Sequence, residues 1–178
     1  MNGGRISDNS ADTHGDGVYV QGGTFLMNGG EILINRAESN GGGLWVGERS
    51  TVHITGGRIR NNGAALGQDV YLNGVGMSVS GSPDIGEAYV ANTVITVAGA
   101  LDPSARIGLT CSNSAAKNGA VLTSGLRGSG VLANFPSVKN GYASALNADG
   151  EGVQTYYGGS KLAWATVLDK AGTTCSGW

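Results

Sequence analysis

Three aromatic residues, Tyr19, Trp45 and Tyr71, recur at a constant step of 26 residues. Each stands between two aliphatic residues, in Val18-Tyr19-Val20, Leu44-Trp45-Val46 and Val70-Tyr71-Leu72. Side chains alternate between the two faces of an extended chain, so the aliphatic pair and the ring go to opposite sides. With the aliphatic residues turned to a core, the three rings make an external column. Such a column is a platform for the apolar face of a sugar or for a partner protein. It could equally shield the outer face or pack under a neighbouring segment, and the sequence leaves both readings open.

Acid–base chemistry would need clustered carboxylates, a base or a metal on one outer face. Aligned at the same step, Asp8 falls over Ile34 and Asn61, and Asp16 over Gly42 and Gln68. Asp12 and Glu38 alone share a column, and Ala65 follows them. Two solvated turn acids explain that pair better than a catalytic or calcium pair. His14 and His53 lie in different columns, no Ser-His-Asp signature is present, and the Gly-Gly pairs are turn punctuation rather than phosphate loops. Thr24 and Thr51 are followed by Gly76, too short a column for an ice-binding face. The sequence therefore predicts no catalytic residues, no metal and no cofactor. Cys111 and Cys175 belong to no metal-like pair; they are either two unpaired core residues or one long-range disulfide, the latter in an oxidising compartment.

The elements that would hold these residues follow from composition and repetition. Of 178 residues, 33 are glycine, 40% are hydrophobic and only 13% are charged. That much apolar content supports a core, while that much glycine is hostile to long helices and suits many tight turns. A net charge of −2 without a basic run argues against electrostatic binding of nucleic acid, and no apolar stretch is long enough to span a membrane.

Met1-Asn2-Gly3-Gly4-Arg5-Ile6 recurs as Met27-Asn28-Gly29-Gly30-Glu31-Ile32 and as Ile54-Thr55-Gly56-Gly57-Arg58-Ile59, with a decayed copy ending in Asp84-Ile85. Ile6, Ile32, Ile59 and Ile85 are separated by 26, 27 and 26 residues, and the step also links Asn9, Asn35 and Asn62. Each unit holds three short strand-like runs between Gly-Gly or Asn-rich turns, and none is helical enough to be a crossover. Units of this kind stack directly, coil on coil, as a β-solenoid. Arg5, Glu31, Arg58 and Asp84 then form a ladder of alternating charge, and the asparagines a turn ladder.

Met27-Asn28-Gly29-Gly30-Glu31-Ile32-Leu33-Ile34-Asn35 and Gly41-Gly42-Gly43-Leu44-Trp45-Val46 resemble the repeats of large bacterial cell-surface proteins of the pectate-lyase-like and polymorphic-outer-membrane type. Gly67 to Leu72 and Ile95 to Leu109 look like the segment that follows the last coil in them. The resemblance implies an all-β chain: a right-handed parallel β-helix of three to four coils over residues 1–90, then an irregular β capping region over residues 91–178. It also implies an extracellular or cell-surface setting.

The function expected is a non-enzymatic structural or adhesive module, with glycan or a surface protein as partner. The alternative is a non-catalytic β-helix fragment of a carbohydrate-active enzyme, a polysaccharide lyase or hydrolase. Because Met1 occupies the column of Met27, preceding coils or a partner chain are expected to cover that end.

Overall fold

Runs of three to five residues such as Arg5-Ile6-Ser7 cannot stand alone, and each becomes a strand because the run one coil away supplies its hydrogen bonds. The computed structural model describes residues 1–113, 115, 119–126 and 132–157, with Tyr156 and Tyr157 as backbone only. It is a nearly all-β chain whose parallel sheets stack into a β-solenoid of about four turns.

One column runs β1 (Arg5–Ser7), β5 (Glu31–Leu33), β9 (Arg58–Arg60). A second runs β3 (Val18–Val20), β7 (Leu44–Val46), β10 (Val70–Asn73). The third runs β4 (Gly23–Met27), β8 (Ser50–Ile54), β11 (Met77–Gly81), β13 (Ile95–Leu101) and β15 (Thr123–Ser124). A small ladder of β2 (Ser10–Ala11) and β6 (Arg36–Ala37) lies at the corner between the first two columns.

The register is the one the repeat predicts: Ile6 pairs with Ile32 and Ile32 with Ile59, while Tyr19 pairs with Trp45 and Trp45 with Tyr71. Inward residues Ile32, Ile59, Leu44, Val46, Val70 and Leu72 are fully buried. In the first coil Ile6, Val18, Val20 and Phe25 are half-buried, since only one neighbouring coil covers them. The charge ladder is also in register, Arg5 to Glu31 to Arg58 to Asp84, and it continues to Arg106.

The fourth coil breaks the pattern. From Leu44 to Val70 the step is 26 residues, but from Val70 to Ala88 it is 18. The eight residues missing are the corner between the first two columns. Their strands fuse into one, β12 (Asp84–Ala91), which pairs with β9 at Asp84 and Ile85 and with β10 from Ala88 to Ala91.

Parallel stacking does not stop at residue 90. Beyond it β13 and β14 (Arg106–Thr110) add further rungs, the latter through a register shift opposite Ile85 to Ala88. Above them an antiparallel pair, β16 (Tyr142–Leu146) and β17 (Val153–Tyr157), closes the stack with buried Val153, beside a short 3-10 turn at Leu132–Asn134 and the buried Phe135. Among the described residues, no helix is long and apolar enough to cross a membrane.

Candidate functional site: the aromatic column and the cleft at its end

Tyr19, Trp45 and Tyr71 stand in register, and a fourth ring joins them, because Tyr71 pairs with Tyr89 across the shortened coil. Tyr19 stacks on Trp45 with centroids 4.4 Å apart and planes within 3°. Tyr71 stacks on Tyr89 at 5.3 Å and 10°. A glycine four residues before each of the first three rings (Gly15, Gly41 and Gly67) has φ between 60° and 67°. A Cβ on any of them would lie within 3.0 Å of the Cα or Cβ of the aromatic residue, so the Gly-rich run is what lets the chain fold back beside the ring.

The rings do not share one exposure. Tyr19 is 50% exposed and Trp45 only 6%. Trp45 is covered by Tyr19, by His14 at 5.8 Å on a nearly parallel plane, and by the strand end at Gly47, where a Cβ would sit 2.2 Å from its ring. The Tyr19 hydroxyl donates to Gln21 Oε1 at 2.7 Å, fixing the outermost ring. The column is thus open at Tyr19, closed at Trp45, and partly open again at Tyr71 and Tyr89.

The asparagine ladder explains how the fourth coil ends. Asn9 Nδ2 donates to Asn35 Oδ1 at 2.8 Å and Asn35 Nδ2 to Asn62 Oδ1 at 3.0 Å, while the backbone N–H of each donates to the same oxygen as its side chain. An amide passes this pattern on without limit, since it both accepts and donates. Where the corner is deleted no fourth asparagine exists, and Asp69 takes its place. Asp69 Oδ1 accepts Asn62 Nδ2 at 2.9 Å and Asn62 N–H at 3.1 Å, and Oδ2 accepts the Glu87 N–H at 2.9 Å. Gly86 lies beneath it, and a Cβ there would come within 2.2 Å of Oδ2.

The deleted corner leaves a cleft of about 510 Å3, within the range of small-molecule sites, lined among others by Arg60, Asp69, Glu87, Tyr89, Thr110 and Lys139. Burial raises the carboxyl pKa of Asp69 above the ordinary range, against the pull of the Asn62 and Glu87 N–H donors and of Arg60. Burial, and then the charge of Asp69, raises that of Glu87, with the Gln68 N–H and Lys139 opposing. Glu87 Oε2 accepts the Gln68 N–H at 3.3 Å, which leaves Oε1 for a ligand. Arg60 is turned to Asp84 at 2.6 Å, and Lys139 donates to Asn113 Oδ1 at 2.6 Å.

No family model matches this chain, and neither does any curated protein or solved structure. Its own geometry carries the functional argument.

The remaining candidates fall apart in space or into structural work. His14 contacts Trp45 and Asn40, whereas His53 meets Ser78 on the opposite column, a contact the sequence reading missed because the two differ in type and lie 25 residues apart. Among the described residues no three metal-ligating side chains converge, and Asp12 and Glu38 extend the β2–β6 corner as turn acids. Asp84 serves the charge ladder, accepting from Arg58 at 3.2 Å and from Arg60. Cys111 is buried, its sulfur 3.4 Å from the Thr155 hydroxyl, and Cys175 lies outside the described residues.

Sequence reasoning also missed Tyr89, Glu87 and Lys139. The 26-residue step points past Tyr89 because the coil is eight residues short, and Lys139 arrives from the closing region. A signal for the first existed: Glu87-Ala88-Tyr89-Val90 repeats the apolar-aromatic-apolar pattern of Val70-Tyr71-Leu72.

Proposed function

We propose that this chain is a non-enzymatic structural or adhesive module of a bacterial surface or secreted protein, and that its aromatic face binds glycan. The observation that carries the reading is the half-exposed Tyr19 ring, stacked flat on Trp45 and pinned by Gln21. A rigid, flat ring backed by a second ring binds the apolar face of a sugar at little entropic cost. The resemblance of the Gly-Gly-x-Ile and Gly-Gly-Gly-Leu-Trp-Val units to bacterial surface β-helix repeats supports the setting.

A glycosidase site within this chain, as distinct from the non-catalytic fragment of a carbohydrate-active enzyme that stands as the alternative, finds little support in the cleft. Hydrolysis of a glycosidic bond generally uses two carboxyl groups. Both Asp69 oxygens are occupied by N–H donors, so among the described residues lining the cleft Glu87 stands as the single available acid.

A glycan array probed with the chain and with Tyr19→Ala tests the proposal. Because Tyr19 is exposed, the variant keeps its fold, and bound glycans are expected to disappear or weaken markedly. Absence of any glycan hit, or hits indifferent to both Tyr19→Ala and Tyr89→Ala, would refute the reading. In exported material Cys111 and Cys175 are expected to be oxidised to each other, and mass spectrometry showing two free thiols would refute that disulfide.

A further inference from the structure

We infer that the cleft at the shortened coil is a subsite for one uncharged pyranose ring, seated on Tyr89 where a fifth ring of the aromatic column would stand. The inference rests on the glycan-binding reading and gives it a second place and a ligand class.

Register supplies the first argument. The column reads Tyr19, Trp45, Tyr71, Tyr89 and then Thr110, since Tyr89 pairs with Thr110. One face of Tyr89 is stacked on Tyr71. On the other side the next rung offers a short, buried threonine in place of a ring. Rungs are about 4.8 Å apart, so the vacancy is about one flat ring thick.

Shape and polarity supply the second. The cleft lies at this vacancy, and Tyr89 and Thr110 both line it. Leu66 and Val138 also line it, and both are large apolar residues left 42% exposed. A wall of exposed apolar groups beside an aromatic face suits the C–H face of a sugar. The polar rim suits its hydroxyls: Glu87 Oε1 can accept, and Arg60 and Lys139 have N–H groups beyond those given to Asp84 and Asn113.

Charge supplies the third. Two acids, Asp69 and Glu87, line the cleft with two bases, Arg60 and Lys139, and Arg60 is already paired with Asp84, so the lining offers an anion no net positive charge. A uronate or sulfated sugar would bring an uncompensated anion against two partly buried carboxylates, and an uncharged ring would not.

Isothermal titration with cellohexaose, chitohexaose and hexagalacturonate tests the assignment. At least one uncharged hexasaccharide is expected to bind, and hexagalacturonate more weakly. Tyr89→Ala should weaken binding about tenfold or more, while Tyr89→Phe, which keeps the ring, stays within about threefold. Val138→Trp fills the cleft from an exposed position, so it should abolish binding with an unchanged circular dichroism spectrum, even should Tyr89→Ala fail to fold. If Tyr19→Ala abolishes binding while Val138→Trp and Tyr89→Ala leave it unchanged, the subsite is overturned and the broader glycan reading stands. Tighter binding of hexagalacturonate than of the uncharged sugars also overturns it. If none of the three sugars binds, and the glycan array is also blank, both readings fall together.

Discussion

The three regular coils and the shortened fourth solve the same problem in different ways. In the regular coils a corner asparagine can accept from the coil on one side and donate to the coil on the other, as Asn35 does between Asn9 and Asn62. An amide can do both, so the ladder has no natural end. The fourth coil deletes the corner, and the ladder must stop on a group that only accepts. Asp69 is that group, and its carboxylate takes three N–H donors. The difference teaches that a solenoid can shed a corner without breaking its sheets if a carboxylate stands where the next amide would be. The space vacated becomes a cleft at the end of the aromatic column.

The largest effect should come from the junction itself. Asp69→Ala would leave Asn62 N–H and Glu87 N–H without their acceptor and remove one acceptor of Asn62 Nδ2. Buried donors in that state cost about 1–3 kcal/mol each, so a loss of about 3–5 kcal/mol is expected in urea unfolding. A loss below about 1 kcal/mol would show that water replaces the carboxylate and that the junction is incidental.

The rings sharpen the contrast next. Trp45, covered within the regular coils, should cost about 3–5 kcal/mol when cut to alanine. Tyr89→Ala, with one ring face toward the cleft, should cost about 1–2 kcal/mol, and exposed Tyr19→Ala within about 1 kcal/mol. Equal losses at all three would mean that the column is uniformly buried or uniformly open.

The corner that the fourth coil omits carries a strain of its own. Asp8, Ile34 and Asn61 precede the ladder asparagines, and all three have φ near +60°. Asp and Asn tolerate that region, but β-branched Ile34 does not, and its side chain is 52% exposed, so packing returns little. Ile34→Asn is expected to stabilise the chain by about 1 kcal/mol, read as a higher midpoint in urea. A lower midpoint would show that Ile34 makes contacts worth more than its strain.

The pH dependence gives the smallest and most local effect. Glu87 has a folded-state pKa raised by burial, so its contribution to stability is fully present below its unfolded pKa of about 4.3 and is lost as pH rises through the folded value. Asp84 runs the other way. Burial would raise its carboxyl, but hydrogen bonds from Arg60 and Arg58 outweigh that and hold it below the ordinary range. Its contribution is present above its unfolded pKa of about 3.9 and fails as pH falls through the folded value. Measured from mild acid to neutrality, Glu87→Gln should therefore gain on the parent chain as pH rises. A flat difference would place Glu87 in water, and the opposite slope would mean that Lys139 holds it charged.

Much of this was legible in the sequence because a repeat reports register directly. Once Ile6, Ile32 and Ile59 share a column, so do the rings, the asparagines and the alternating charges, and the pairings follow that order. The same logic hid the cleft. Counting by 26 or 27 reaches Ile85 correctly, yet the chain then needs only three residues to reach Ala88, where the coil below takes eleven from Ile59 to Val70. Asp69 carries no periodic signal, since its column neighbours Gly43 and Gly17 have no side chain. The count does reach Ala88 and Tyr89 where a fourth asparagine would fall, but it cannot show that Asp69, from a different column, takes over as the acceptor.

The most direct test is a double-mutant cycle between Asn62 and Asp69, using Asn62→Ala, Asp69→Ala and the pair in urea unfolding. If the ladder ends on Asp69, the second substitution should cost little once the first is made, with a coupling of about 2 kcal/mol. Losses that add within about 0.5 kcal/mol would mean that the two residues act independently, and the account of the shortened coil would fail.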